Sequence, residues 1–350
     1  MVNSRQAFDA TKPWRIGFWL SLMVCISAVL SLVPYMTSST ELVRMRNALL
    51  LDDRFDAGQD WAPPNYPPDF KLERSPAYPE FARVVQQLGL SSMDNDWDRA
   101  LAISKHLLGS SPVLHGGAIQ SNLLNTYTRI VDHGDGYCGD FVDVFTGLAV
   151  AAGIPTRSWA FSFDGFGGHG HVWPEIWNRQ AKAWQLVGLF NNNYFTLGDE
   201  RPLSALEFRS AMKEQPTALR IQHLYGGARI GWAIEAKAWD YYRRGLPEWY
   251  QWRGTNVFSH DHAWPVRTFS KVSRSLEQLG AIAMGVSPRL VVLADPENRA
   301  AFASLRRLRW HLFVVMLIVP LGIFTAVFCW VQLRRRAWIG ARVGKVREHG

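Results

Sequence analysis

Cysteine is scarce in this sequence: three occur in 350 residues, and Cys25 and Cys329 lie inside apolar runs. Cys138 stands alone between those runs, so no disulfide framework can staple that region. No second cysteine lies near it to resolve a mixed disulfide, which disfavours a redox role. Charged residues are also few, 19% against 48% hydrophobic, and disorder is not expected to dominate. Internal repeats and low-complexity tracts are absent, so solenoid and fibrous architectures are not expected. An acidic balance is missing as well, since the formal net charge is +8. That surplus sits at the ends: Arg334, Arg335, Arg336, Arg342, Lys345 and Arg347 against Glu348, and Arg5, Lys12 and Arg15 against Asp9. The sequence between is close to neutral, and nucleic acid is not an expected partner.

What is present begins with two long apolar runs. Ile16 to Met36 holds no charge over 21 residues, enough to cross about 30 Å of hydrocarbon as a helix. It exceeds the usual hydrophobic core of a cleaved signal, so an uncleaved anchor is expected. Trp310 to Leu333 forms the second run, with Trp310 and Trp330 near its ends and Pro320 and Gly322 inside it. The basic tails place both termini in the cytoplasm, with residues 37–309 outside it; Arg306, Arg307 and Arg309 run against that orientation without reversing it. The lipid bilayer is accordingly an expected partner. The simple two-span design suggests a bacterial inner-membrane protein with a periplasmic domain.

Between the runs, the Pro-rich stretch 60–68 reads as an irregular linker. Helical spacing marks Asp96 to Leu108 and Gly139 to Ala152, the second stopped by Gly153. Thr156 to Phe163, Val172 to Trp177 and Trp184 to Phe190 are short, aromatic and β-branched, and read as strands. Helical patterns return at Ser204 to Met212 and from Ile230 to Tyr242. The expected fold class is α+β, with helices packed on an antiparallel sheet and flanked by two transmembrane helices. The expected divisions are a cytoplasmic tail (1–15), a span (16–36), a linker and lead-in (37–90), a core (91–200), a helical extension (201–309), a second span (310–333) and a basic tail (334–350).

The chemistry centres on Gly136-Tyr137-Cys138-Gly139-Asp140-Phe141. Cys138 precedes an apolar-periodic helix, where free N–H groups and the helix dipole lower a thiol's pKa. The same N–H groups are placed to receive an oxyanion. A thiolate nucleophile needs a histidine as base and acid. His171 opens the segment His171-Val172-Trp173-Pro174-Glu175-Ile176-Trp177, after the Gly-rich stretch Gly165 to Gly170. A helix, a turn and a strand fit between the two residues.

The run Gly136 to Phe141, followed by Gly153-Ile154-Pro155-Thr156-Arg157, resembles the catalytic-cysteine segment of the transglutaminase-like superfamily, a papain-type cysteine enzyme fold. His171 to Trp177 resembles that family's histidine segment, and Trp184 to Gly188 its third-residue segment. The resemblance covers about Trp97 to Phe195. It implies that Cys138 is the nucleophile and His171 its general base and acid. Gly188 stands where the family has an aspartate that orients the histidine. Among Asn191, Asn192 and Asn193, which could supply an oxygen instead, Asn191 is taken as the expected third residue.

Other residues carry weaker expectations. Gln120 is a candidate oxyanion donor, and Trp173 and His169 are candidate substrate contacts. The region between the spans holds 11 of the 16 tryptophans, enough to offer some as a stacking surface beyond those that build the core. A metal at His169, His171 and Glu175 is disfavoured because Pro174 interrupts the strand, and no cofactor is expected. The polar stretch Trp252 to His262 is a candidate cavity wall or third-residue donor, against a plain polar loop. The resulting expectation is an extracytoplasmic cysteine enzyme that hydrolyses or transfers an amide or ester acyl group through a thioester. Its substrate would be a cell-envelope peptide, polysaccharide or protein. The alternative is an inactive binding or scaffold module of the same fold, favoured by Gly188.

Overall fold

The computed structural model describes residues 4–54, 58–110, 115–198, 201–226 and 232–348. The chain divides into two compact units, Met1–Glu41 with Arg307–Gly350, and Leu42–Arg306.

The first unit holds helix α1 (Ser4–Leu30) and most of the C-terminal helix, which runs Arg299–Glu348. Among the described residues, Thr11–Leu30 and Pro296–Ile339 contain the two stretches long and apolar enough to cross a membrane. Glycine lets the helices approach closely: a Cβ at Gly322 would collide with the Cys25 sulfur. The Cys25 thiol donates to the Val319 carbonyl at 3.6 Å. The expected first span, 16–36, ends early as an α-helix. Pro34 disfavours α geometry in the residue before it, and Val33–Met36 forms a 3-10 turn instead.

In the second unit, helices α2 (Ser39–Leu50), α3 (Pro79–Gln87), α4 (Asp96–Gly109), α5 (Leu123–His133) and α6 (Cys138–Ala151) come first. Local chemistry fixes their starts. The Asn95 side chain accepts from Trp97 N–H at 2.8 Å, and Asn122 accepts from Asn125 N–H at 2.8 Å. Asp140 accepts from Tyr137 N–H at 2.8 Å, closing the first turn of α6. Phe141, Val144, Phe145 and Leu148 face a core shared with Phe81, Ile103, Leu107 and Ile130 from the earlier helices.

Strands β1 (Thr156–Ser162), β2 (Gly170–Asn178) and β3 (Ala183–Leu186) follow as an antiparallel meander. Phe161 pairs with His171, and Glu175 pairs with Leu186. The third strand was expected to reach Phe190. It stops at Leu186 because the chain folds back on itself, with Gly188 bridging to Asn193. Short strands β4 (Tyr194–Leu197) and β5 (Leu219–Gln222) pair apart from the main sheet.

The stretch after residue 200, expected to be a helical extension, also contributes three strands. Helices α7 (Ala205–Glu214) and α8 (Glu235–Gly245) bracket β5; residues 227–231, where the second helical pattern was expected to begin, lie outside the described residues. Strand β6 (Glu248–Arg253) then enters the main sheet beside β1, and β7 (Arg289–Val292) closes it in the order β3-β2-β1-β6-β7. Helices α9 (Val257–His262), α10 (Trp264–Phe269) and α11 (Arg274–Ala283) lie between these strands. The strand pattern was missed because β6 mixes polar and aromatic residues on both of its faces. Its residues Glu-Trp-Tyr-Gln-Trp-Arg show no clean polar–apolar alternation. An aromatic core of Trp159, Phe161, Trp173, Phe195, Phe208, Tyr242 and Trp249 joins the two parts of the unit. The irregular stretch 60–68 is tied to this body: Trp61 packs edge-on against Trp184 with ring centroids 5.1 Å apart.

Candidate active site

Helix α6 packs on β2 and β1, which brings its N-terminus to the start of β2. Cys138 and His171 thereby line one cavity of about 500 Å³. The backbone N–H groups of Val172, Gly139 and Cys138 itself point at the Cys138 sulfur and favour its anion. Burial acts more strongly and pushes the thiol up, reinforced by the nearby Asp140 charge. The sequence expectation of a lowered thiol pKa is therefore corrected for the resting site: desolvation outweighs the helix terminus. Burial also drives the His171 imidazole down to about 3, so it is neutral at physiological pH. Among the described residues, His171 Nε2 is buried without a hydrogen-bond partner.

The His171 ring lies in an aromatic setting, with Trp173 at 5.0 Å and Tyr241 at 6.1 Å between centroids. Tyr241 donates its hydroxyl to the Gly170 carbonyl at 2.6 Å and so fixes the entry to β2. Glu175, four residues along the same strand, is structural. It accepts from Arg157 at 2.5 Å, Trp159 Nε1 at 2.9 Å and Ala205 N–H at 2.6 Å.

Gln120 lines the same cavity as Cys138. Trp173 does not: it is fully buried in the aromatic core, and the expected substrate contact is withdrawn because no solvent reaches it. His169 is exposed in the Gly-rich loop, its Nδ1 3.0 Å from the Asp164 carboxylate, while Gly168 and Gly170 on either side of it line the cavity. Asn191 is buried and does not line the cavity. Its Nδ2 donates to Tyr242 Oη at 3.1 Å. A side chain at Gly188 would force Asn193 to shift, because a Cβ there would collide with Asn193 Oδ1 and lie 2.5 Å from the Asn193 carbonyl oxygen.

Several wall residues were not legible in advance. Asp140, Asp143, Asp261 and Glu277 share the cavity with Arg46 and Arg274, giving it a surplus of carboxyl groups. Asp143 is exposed on the cavity face of the second turn of α6; desolvation by the surrounding cavity walls and the neighbouring Asp140 charge raise its carboxyl to about 7, an effect that its solvent exposure tempers. The polar stretch expected as a possible wall does form one, through Trp252, Asn256, His260 and Asp261. Asp143 left no motif, since a single acid on an apolar helix looks like a solvated position.

The class that this fold defines is an α+β domain with a helix-borne cysteine and a strand-borne histidine on one cavity. In agreement with it, residues 86–188 match the family described as the transglutaminase-like superfamily. The chain thus carries a transglutaminase-like domain. No curated protein and no solved structure matches the chain.

Proposed function

We propose that the chain is a membrane-anchored cysteine enzyme that transfers or hydrolyses an acyl group through a thioester. Cys138 Sγ attacks a carbonyl carbon of an amide or ester, and its proton passes to the neutral imidazole of His171. The C–N or C–O bond breaks as the leaving group takes that proton back, and the acyl group stays on sulfur. Water or an amine then attacks the thioester, giving its proton to His171, and the thiol is restored. Main-chain N–H groups at the start of α6, with Gln120 beside them, are the donors for the oxyanion.

The observation that carries this reading is the pairing of Cys138, at a helix N-terminus, with His171 on one cavity wall. A neutral thiol beside a neutral imidazole is a resting pair; proton transfer accompanies attack. The carboxyl-rich wall favours a substrate or acceptor bearing a protonated amine. On the positive-inside pattern both termini are cytoplasmic, the catalytic domain is periplasmic, and the substrate belongs to the cell envelope.

The test is acylation of the full chain by p-nitrophenyl acetate, read as a p-nitrophenol burst and as a Cys138-acetyl peptide by mass spectrometry. Cys138→Ala abolishes the adduct, and His171→Ala slows it by about a hundredfold or more. Acylation at the rate of an ordinary thiol, unchanged by His171→Ala, refutes the enzyme reading. It leaves a binding module, which the raised thiol and Gly188 favour.

A further inference from the structure

Two arginines stand in the cavity that holds Cys138, and its acids do not pair with them. Arg46 comes from α2 and Arg274 from the first turn of α11. Asp140, Asp143, Asp261 and Glu277 line the same walls, yet among the described residues no carboxylate forms an ion pair with either guanidinium. Two of the acids are engaged elsewhere. Asp140 accepts from Tyr137 N–H at 2.8 Å, and Asp261 accepts from Tyr78 Oη at 2.6 Å and from Leu123 N–H at 3.1 Å. Glu277 is buried, and burial raises its carboxyl toward the neutral form.

Both guanidinium groups are braced on one side. Asn47 Oδ1 accepts from Arg46 Nε at 3.2 Å and from Nη2 at 2.9 Å, and Asn47 is itself fixed by donating to the Phe166 carbonyl at 2.8 Å. The Arg46 group also lies over the Trp252 ring, 5.3 Å from its centroid. Arg274 Nη1 donates to the Ile119 carbonyl at 3.2 Å. These bonds leave Arg46 Nη1 and Arg274 Nη2 without a carboxylate among the described residues. The two charges also act on each other. Desolvation lowers the Arg46 guanidinium from its ordinary value and the Arg274 charge adds to it, while Tyr250 and Asp143 pull the other way. Asp143 in turn feels both arginines. A desolvated cation with a like charge nearby favours an anion in the same cavity, and a guanidinium fork matches a planar carboxylate.

We propose that Arg46 and Arg274 form a carboxylate-binding subsite, and that the substrate of Cys138 is an amino-acid group carrying a free carboxylate as well as a protonated amine. The substrate half of this deepens the acyl-transfer reading and rests on it; the subsite does not. Asp143, exposed on the cavity face, supplies the opposite charge for the amine. A substrate with only one of the two charges would leave the other set of wall groups unmatched. Both arginines lie outside residues 86–188, so this specificity belongs to chain beyond the matched domain.

The test is isothermal titration of the full chain in detergent, in its Cys138→Ala form so that no probe reacts. Nα-acetyl-lysine carries both charges, and its amide lacks only the carboxylate. The chain binds the acid about tenfold or more tighter than the amide, and Arg46→Gln or Arg274→Gln removes that preference. Arg46→Lys, which keeps the charge without the fork, retains part of it, separating lost recognition from a misfolded variant. Arg267→Gln alters an exposed arginine that does not line the cavity, and the preference stays intact. Equal binding of acid and amide, or a preference that survives both glutamine substitutions, overturns the subsite. So does inorganic phosphate bound as tightly as the acid. The substrate half is read with Cys138 present: mono-p-nitrophenyl adipate acylates it about tenfold or more faster than the methyl ester of the same compound, and Arg46→Gln lowers that ratio. A ratio of one overturns the substrate assignment. If Cys138 is acylated by neither, the catalytic reading falls, and titration still decides the subsite.

Discussion

Residues 86–188 and the stretch from residue 201 to Arg306 contribute to one sheet and one cavity in opposite ways. The first carries the Cys138 thiol and the His171 imidazole on α6 and β2, each in a short local motif. The second carries no cysteine, yet it supplies β6 beside β1, the aromatic core through Tyr242 and Trp249, and the Asp261, Arg274 and Glu277 wall. A motif is local because a nucleophile and its helix terminus must be adjacent along the chain. A wall is not local, because any element that packs against the cavity can form it.

Four substitutions sharpen or break that contrast. The largest effect is expected from Arg157→Ala in the motif-bearing part. It strands the Glu175 carboxylate in a site where both partners are almost fully buried, and thermal melts should register about 3–5 kcal/mol of destabilisation. Trp249→Ala is the matching test beyond residue 200. Its loss from the shared aromatic core costs about 3–5 kcal/mol and lowers a single cooperative transition. If 86–188 instead melts unchanged while the later stretch loosens, the two parts are independent and the contrast is wrong.

Gly188→Ala comes next. The added methyl meets the Asn193 carboxamide and carbonyl, so we expect about 1–3 kcal/mol of destabilisation in thermal melts. The smallest effect has the opposite sign. Asp143 is raised to about 7 in the folded chain, above its ordinary value near 3.8. Below pH 3.8 both states are protonated and nothing is lost. Between there and pH 7 the unfolded chain ionises first, so folding loses stability as pH rises. Asp143→Asn should therefore raise Tm at pH 8 and match the parent at pH 4. A lower Tm at pH 8 would mean that the carboxylate is held by a cation there.

The fold was more legible than the site. Helices α4 and α6 and strands β1 and β2 follow from apolar spacing and caps within a few residues of where they were expected. Cys138 and His171 stood out because each lies in a glycine-flanked motif at an element boundary. Trp173 misled because an aromatic beside a candidate histidine serves equally as core or as substrate surface, and only burial distinguishes the two. Asn191 and Asn193 are two residues apart with the same side chain, and both donate to Tyr242, about 50 residues onward, a meeting that only the tertiary fold makes.

The sequence by itself determined two membrane-length apolar helices, an α+β domain between them, and the thiol and imidazole placed at a helix start and a strand start. These rest on local chemistry: hydrophobic period, capping and glycine. Tertiary structure alone decided the central place of β6, the carboxyl-rich wall, the neutral resting state of the thiol and imidazole, and the approach of Asn193 to the space over Gly188. Desolvation and cross-chain register produce each of these, and both depend on what packs against a residue rather than on what precedes it.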